Sequence, residues 1–75
     1  MKKEWDRAAK TLMEFGEKTS QYVVLTLSKG RHSSGEHTIY YRAYSADGGW
    51  TEECTAPMDA VIECMNKYKE VSKRA

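Results

Sequence analysis

The residues whose types and neighbours could do chemistry are His32, His37, Cys54 and Cys64, the serine pair Ser33 and Ser34, and the adjacent carboxylates Glu52 and Glu53. Two histidines and two cysteines are ligand types that a tetrahedral zinc ion accepts. Their spacing is not that of a zinc finger, and Cys64 falls near the apolar stripe of the last predicted helix, so no metal site is assigned. The two cysteines stand too far apart for a CxxC motif and are too few for a disulfide framework. Both are read as reduced thiols, and Cys64 as a small core residue.

Nucleophilic catalysis requires a Ser, Cys or Thr beside an oriented base. Ser33 and Ser34 adjoin His32, but in a glycine-bearing loop with no fixed third group. Cys54 and His37 could meet across strands, yet nothing in the sequence depresses the thiol pKa. Glu52 and Glu53, consecutive on a strand, point to opposite faces and make no acid/base couple there. The stretch "ADGG" precedes a strand and opens no helix, so it is no phosphate loop. The chain is therefore expected to be non-catalytic, with no cofactor and no evident small-molecule substrate.

The elements that position these residues follow from hydrophobic period. In "KKEWDRAAKTLMEFG", Trp5, Ala8, Ala9, Leu12 and Met13 form one helical stripe, and Gly16 is placed to end the helix in the left-handed conformation. "SQYVVLTLS" alternates, with Val23, Leu25 and Leu27 on one side, and predicts a strand. "KGRHSSGE" is a loop without an apolar residue. "HTIYYRAYS" is a second strand, Asp47-Gly48 a hairpin signal, and "WTEECT" a short third strand. Thr55 is a candidate cap for a last helix that takes Pro57 in its first turn. Met58, Val61, Ile62, Met65 and Tyr68 give that helix its stripe.

The order is α-β-β-β-α. The predicted fold is α+β in two layers, a three-stranded antiparallel meander with both helices on one face. The 75 residues are expected to make one small domain, residues 1–75. A formal net charge of +1 argues against a dominant nucleic-acid footprint. With no apolar run near the roughly 18 residues of a spanning helix, and no signal segment, no membrane association and a cytoplasmic location are expected.

If Val23, Leu25 and Leu27 face the helices, Ile39, Tyr41 and Ala43 match them on the second strand. The uncovered face then shows Tyr22, Val24, Thr26, Tyr40, Arg42 and Tyr44, with Thr51 and Glu53 from the third strand. Such a face is normally polar, whereas this one is half aromatic, with an arginine between tyrosines. Tyr and Arg are enriched where binding energy concentrates, although tyrosine is also a favoured strand residue. Trp50 is placed inward with Cys54; a bulge near Gly48-Gly49 would reverse it.

Helix, meander and helix in this order resemble the double-stranded-RNA-binding domain, most of all over "GEHTIYYRAYSADGGWTEECTAPMDAVIECM". The resemblance implies RNA contact by the loop between the first two strands, where Lys29, Arg31 and His32 stand, and by a basic start to the last helix. Here that start reads "TAPMDAV", with an aspartate and no lysine. The strand-turn-strand segment ending in "T-x-P-x-x-A" also resembles small phage and prophage accessory proteins, several of which bind and block a host protein.

The expectation is a small protein-interaction module. It would bind a protein partner, or itself, through Tyr22, Tyr40, Arg42 and Tyr44 with Lys29, Arg31 and His32 beside them. A nucleic-acid-binding module using the same basic loop and aromatic face stands second.

Overall fold

The computed structural model describes residues 2–31 and 37–74. In chain order these form helix α1 (Lys2–Thr19), strands β1 (Val23–Arg31), β2 (His37–Ser45) and β3 (Gly49–Trp50), and helix α2 (Pro57–Arg74). The strands make one antiparallel sheet in the order β1-β2-β3. Both helices pack on the same face of it, so the α+β meander read from the sequence is the observed architecture.

Helix α1 buries Ala8 and Leu12 and lays Trp5 on Tyr41, ring centroids 6.1 Å apart. Met13, expected in this stripe, is 61% exposed. At 100° per residue the buried axis runs through Ala8, Leu12 and Phe15, and Met13 turns onto a flank. Gly16 does not end the helix. A Cβ there would lie 3.0 Å from Val23 Cγ2 and 3.1 Å from the Gln21 carbonyl oxygen, so its role is close approach of helix to strand. The left-handed residue is Ser20 (φ 57°), and the Gln21 N–H donates to the Gly16 carbonyl at 2.9 Å. That is the six-to-one bond of a Schellman cap, one turn beyond the expected end.

Strand β1 pairs with β2 without interruption from Val23–Ser45 to Arg31–His37. Lys29 and Arg31, expected in a loop, are therefore strand positions. On the helix-facing side Val23, Leu25 and Tyr41 pack around the fully buried Ala43. Leu27 and Ile39 share that side but are 53% and 43% exposed, because the hairpin runs on past the helices.

Helix α2 begins at Pro57, whose missing N–H costs nothing at a first helical position. Ala56 rather than Thr55 precedes it. Its buried line is Ala60, Val61 and Cys64, continued by Tyr68 edge-on to Phe15 at 5.3 Å, while Ile62 turns to solvent. Small residues at 43, 60 and 64 let α2 lie close to the sheet. No helix among the described residues is long and apolar enough to cross a membrane.

The β2–β3 turn (46–48) is not the primed type expected at Asp47-Gly48. The positive φ is at Gly49 (79°). Gln21 clamps the turn, its side-chain amide donating to Asp47 Oδ2 at 3.0 Å and its carbonyl accepting the Asp47 N–H at 2.8 Å.

Candidate interaction surface

The third strand decides which side chains reach the helix-free face. Tyr44 stands opposite Trp50, and Thr51 donates its N–H to the Ala43 carbonyl at 2.9 Å. Tyr41 then exchanges bonds of 2.7 and 2.9 Å with Cys54, not Glu53. Three steps along β2 are thus matched by four along the returning chain, which is a one-residue bulge at Glu52-Glu53. A bulge reverses side-chain parity. Trp50 therefore shares the outer face with Tyr44, while Cys54 faces the helices and packs against the core. The inward placement of Trp50 is corrected. Thr51, expected outside, is 1% exposed on the inner side.

Outward parity builds a strip across all three strands. Tyr22, 71% exposed, meets Tyr44 with centroids 6.3 Å apart and planes at 70°. Tyr44 meets Trp50 at 5.1 Å and 47°. The Arg42 guanidinium carbon lies 5.2 Å from the Trp50 ring centroid. Arg42 Nε also donates to the Thr51 carbonyl at 3.2 Å, and Lys67 Nζ to the Trp50 carbonyl at 2.8 Å. The indole, 42% exposed, is thus held by its backbone and by a cation over its face.

Of the residues named from sequence, Tyr22, Arg42 and Tyr44 belong to this strip. Tyr40 is half-buried on the same face, opposite Ser28. Lys29 is exposed but on the helix-facing side, with Leu27, and so is not adjacent to the strip. Arg31 is placed at the end of β1, and His32, Ser33, Ser34 and Glu36 lie outside the described residues. Trp50 is the strip residue that sequence parity missed. Glu52 and Glu53 do not diverge as consecutive strand residues would: the bulge puts both on the rim of one recess with Arg42.

The thiols face different surroundings from a nucleophile's. Partial burial, a 3.4 Å hydrogen bond from Cys54 Sγ to Glu63 Oε2, and the charges of Glu63, Asp59 and Glu52 push the Cys54 thiol up to about 11. Burial also raises the Cys64 thiol, opposed by a hydrogen bond with Ser45 and the Lys67 charge. Cys54 pairs with Tyr41 and His37 with Arg31, so the two expected cross-strand neighbours are apart. Among the described residues no three His, Cys, Asp or Glu side chains converge as a metal site.

No protein-family model, no curated protein and no solved structure matches this chain.

Proposed function

We propose that this protein is a small non-catalytic interaction module of the cytoplasm, of the kind carried by phages and mobile elements. It binds a protein partner through the strip Tyr22–Tyr44–Trp50 with Arg42. The observation that carries this reading is the continuity of three aromatic rings and a guanidinium over a sheet face that neither helix covers. Rings already held against each other lose little side-chain entropy on binding, and their polar tips tolerate water in the free state. Both thiols are held in their protonated form, which favours binding over covalent chemistry.

Nucleic acid could also stack on such rings. Against it, Glu52 and Glu53 adjoin Arg42, and the Lys67 ammonium is engaged with the Trp50 carbonyl.

The test uses the full chain as bait in cell lysate, beside Tyr22→Ala and Trp50→Ala. A partner that survives a salt increase and is lost with either substitution supports the reading. Binding that goes instead to a single-stranded oligonucleotide, falling steeply with salt, would transfer the strip to nucleic acid. Partners retained equally by both variants would remove the strip from the function.

A further inference from the structure

The strand order leaves β1 with an open edge among the described residues. The Tyr22 carbonyl accepts the Ala46 N–H, which fixes the phase of the ladder. Bonded residues alternate along an antiparallel strand. Even-numbered residues of β1 therefore turn their backbone groups to β2, and Val23, Leu25, Leu27, Lys29 and Arg31 turn theirs to the open edge. The strand runs nine residues without proline or bulge, long for a bare edge. On the helix-facing side of that edge lie Leu27 and its neighbour Ile39, the apolar part of the hairpin that the helices do not cover.

We propose that a second copy of this chain pairs with this edge, β1 antiparallel to β1, about a two-fold axis at Leu27. Three observations select this occupant and register. Leu27 is the middle of the five outward-bonding residues, so Val23 pairs with Arg31, Leu25 with Lys29, and Leu27 with its own copy. Every outward N–H and C=O on the strand then has a partner.

Charge selects the same centre. An axis at Lys29 would set two lysines face to face, which is unfavourable. An axis at Leu27 puts Lys29 opposite Leu25 of the other copy, one bonded pair from Val23, where Glu17 and Met13 line a recess.

The helices exclude the remaining choices. Near its start α1 lays Trp5 on Tyr41 of β2, and near its other end it packs Gly16 on Val23 at the edge strand. An axis at Val23 or Leu25 would bring two α1 helices to one place, whereas helices need 8–10 Å between axes. With the axis at Leu27, each α1 meets the projecting hairpin of the other copy. The axis is perpendicular to the sheet, so both aromatic strips lie free on one face of a six-stranded sheet. This interface is thus independent of the strip's partner.

Sedimentation equilibrium and amide hydrogen exchange of the full chain test the proposal. A monomer–dimer equilibrium is expected, with the amides of Leu25, Leu27 and Lys29 slowing as concentration rises. Leu27→Lys, at an exposed position, should weaken association by about tenfold or more with unchanged circular dichroism. Glu17→Lys and Lys29→Glu should each weaken it, and together restore it. A monomer up to about 1 mM would overturn the proposal. So would a dimer in which those three amides exchange as fast as in the monomer, since that dimer would use another surface.

Discussion

The buried hydroxyl of Thr51 accepts the Ala43 N–H at 3.0 Å and donates to the Glu52 carbonyl at 3.1 Å. In a regular ladder the Thr51 carbonyl would take that N–H, but here it accepts Arg42 Nε instead. The threonine side chain thus replaces a backbone acceptor at the point where the bulge pulls the chain out of register. Thr51→Val keeps shape and removes the acceptor, leaving the Ala43 N–H buried and unpaired. Chemical denaturation should show a loss of about 1–3 kcal/mol. Thr51→Ser, which keeps the hydroxyl, should lose clearly less. Equal losses for the two would mean that packing, not the hydrogen bond, holds the bulge.

Two neighbouring glycines oppose alanine for different reasons. A Cβ at Gly48 would lie 2.7 Å from Ser45 Oγ and 3.3 Å from the Tyr68 backbone nitrogen. The turn therefore sits against α2 with no room for a methyl group, and Ser45 Oγ already accepts the Gly48 N–H at 3.0 Å. Gly48→Ala should cost about 1–3 kcal/mol by overpacking. At Gly49 nothing stands within 4 Å, and only the positive φ opposes a side chain. Gly49→Ala should cost roughly 1–2 kcal/mol, and Gly49→Asn less, since asparagine tolerates that conformation. Thermal unfolding of the three variants ranks them.

The layout was legible because its signals are local and periodic. Leu12 and Val61 announce helices by recurrence, Val23, Leu25 and Ala43 announce strands by alternation, and one apolar sheet face can serve both helices. What escaped depends on contacts distant in sequence. Lys29 to Arg31 look like loop by composition and become strand only by pairing with residues 37–39 of β2. Gly16 looks like a cap because glycine serves both as cap and as close-approach residue, and Val23 decides which. Unbroken alternation from Trp50 to Cys54 predicts one shared face for the two, and the bulge that separates them is announced by neither glutamate. Alternation places Tyr22, Arg42 and Tyr44 on the helix-free face, as observed, because they lie upstream of the bulge.

Cys54 carries a pH prediction. Its thiol sits near 11 against an ordinary value of 9.0, chiefly through burial and then through Glu63. Alkylation at neutral pH should be slower than for a free thiol, and should rise only as pH approaches 11. Glu63→Gln removes the charge and the carboxylate acceptor, so the rate at a fixed pH of about 8 should increase. The folded state holds this proton more tightly than the unfolded state. Its contribution to stability is therefore complete below pH 9 and is lost as pH rises through about 11. Wild type should lose stability over that window more steeply than Glu63→Gln. Coincident curves would show that Glu63 does not set the thiol.

Lys67 links the last helix to the proposed binding strip. Strand β3 has only two residues, and a 2.8 Å bond from Lys67 Nζ to the Trp50 carbonyl helps tie it to α2. Lys67→Met keeps much of the apolar stem and deletes the donor. Because the site is solvent-accessible, the expected loss of global stability is small, about 0.5–1.5 kcal/mol. The local effect should be larger: a freed β3 lets the indole leave Tyr44 and Arg42. In a Trp5→Phe background Trp50 is the sole tryptophan, and its emission should shift to the red with Lys67→Met while the unfolding midpoint moves little. Lys67→Arg retains a donor and should hold the emission nearer wild type. An unshifted Lys67→Met spectrum would mean that the Tyr44 and Arg42 contacts alone fix the ring.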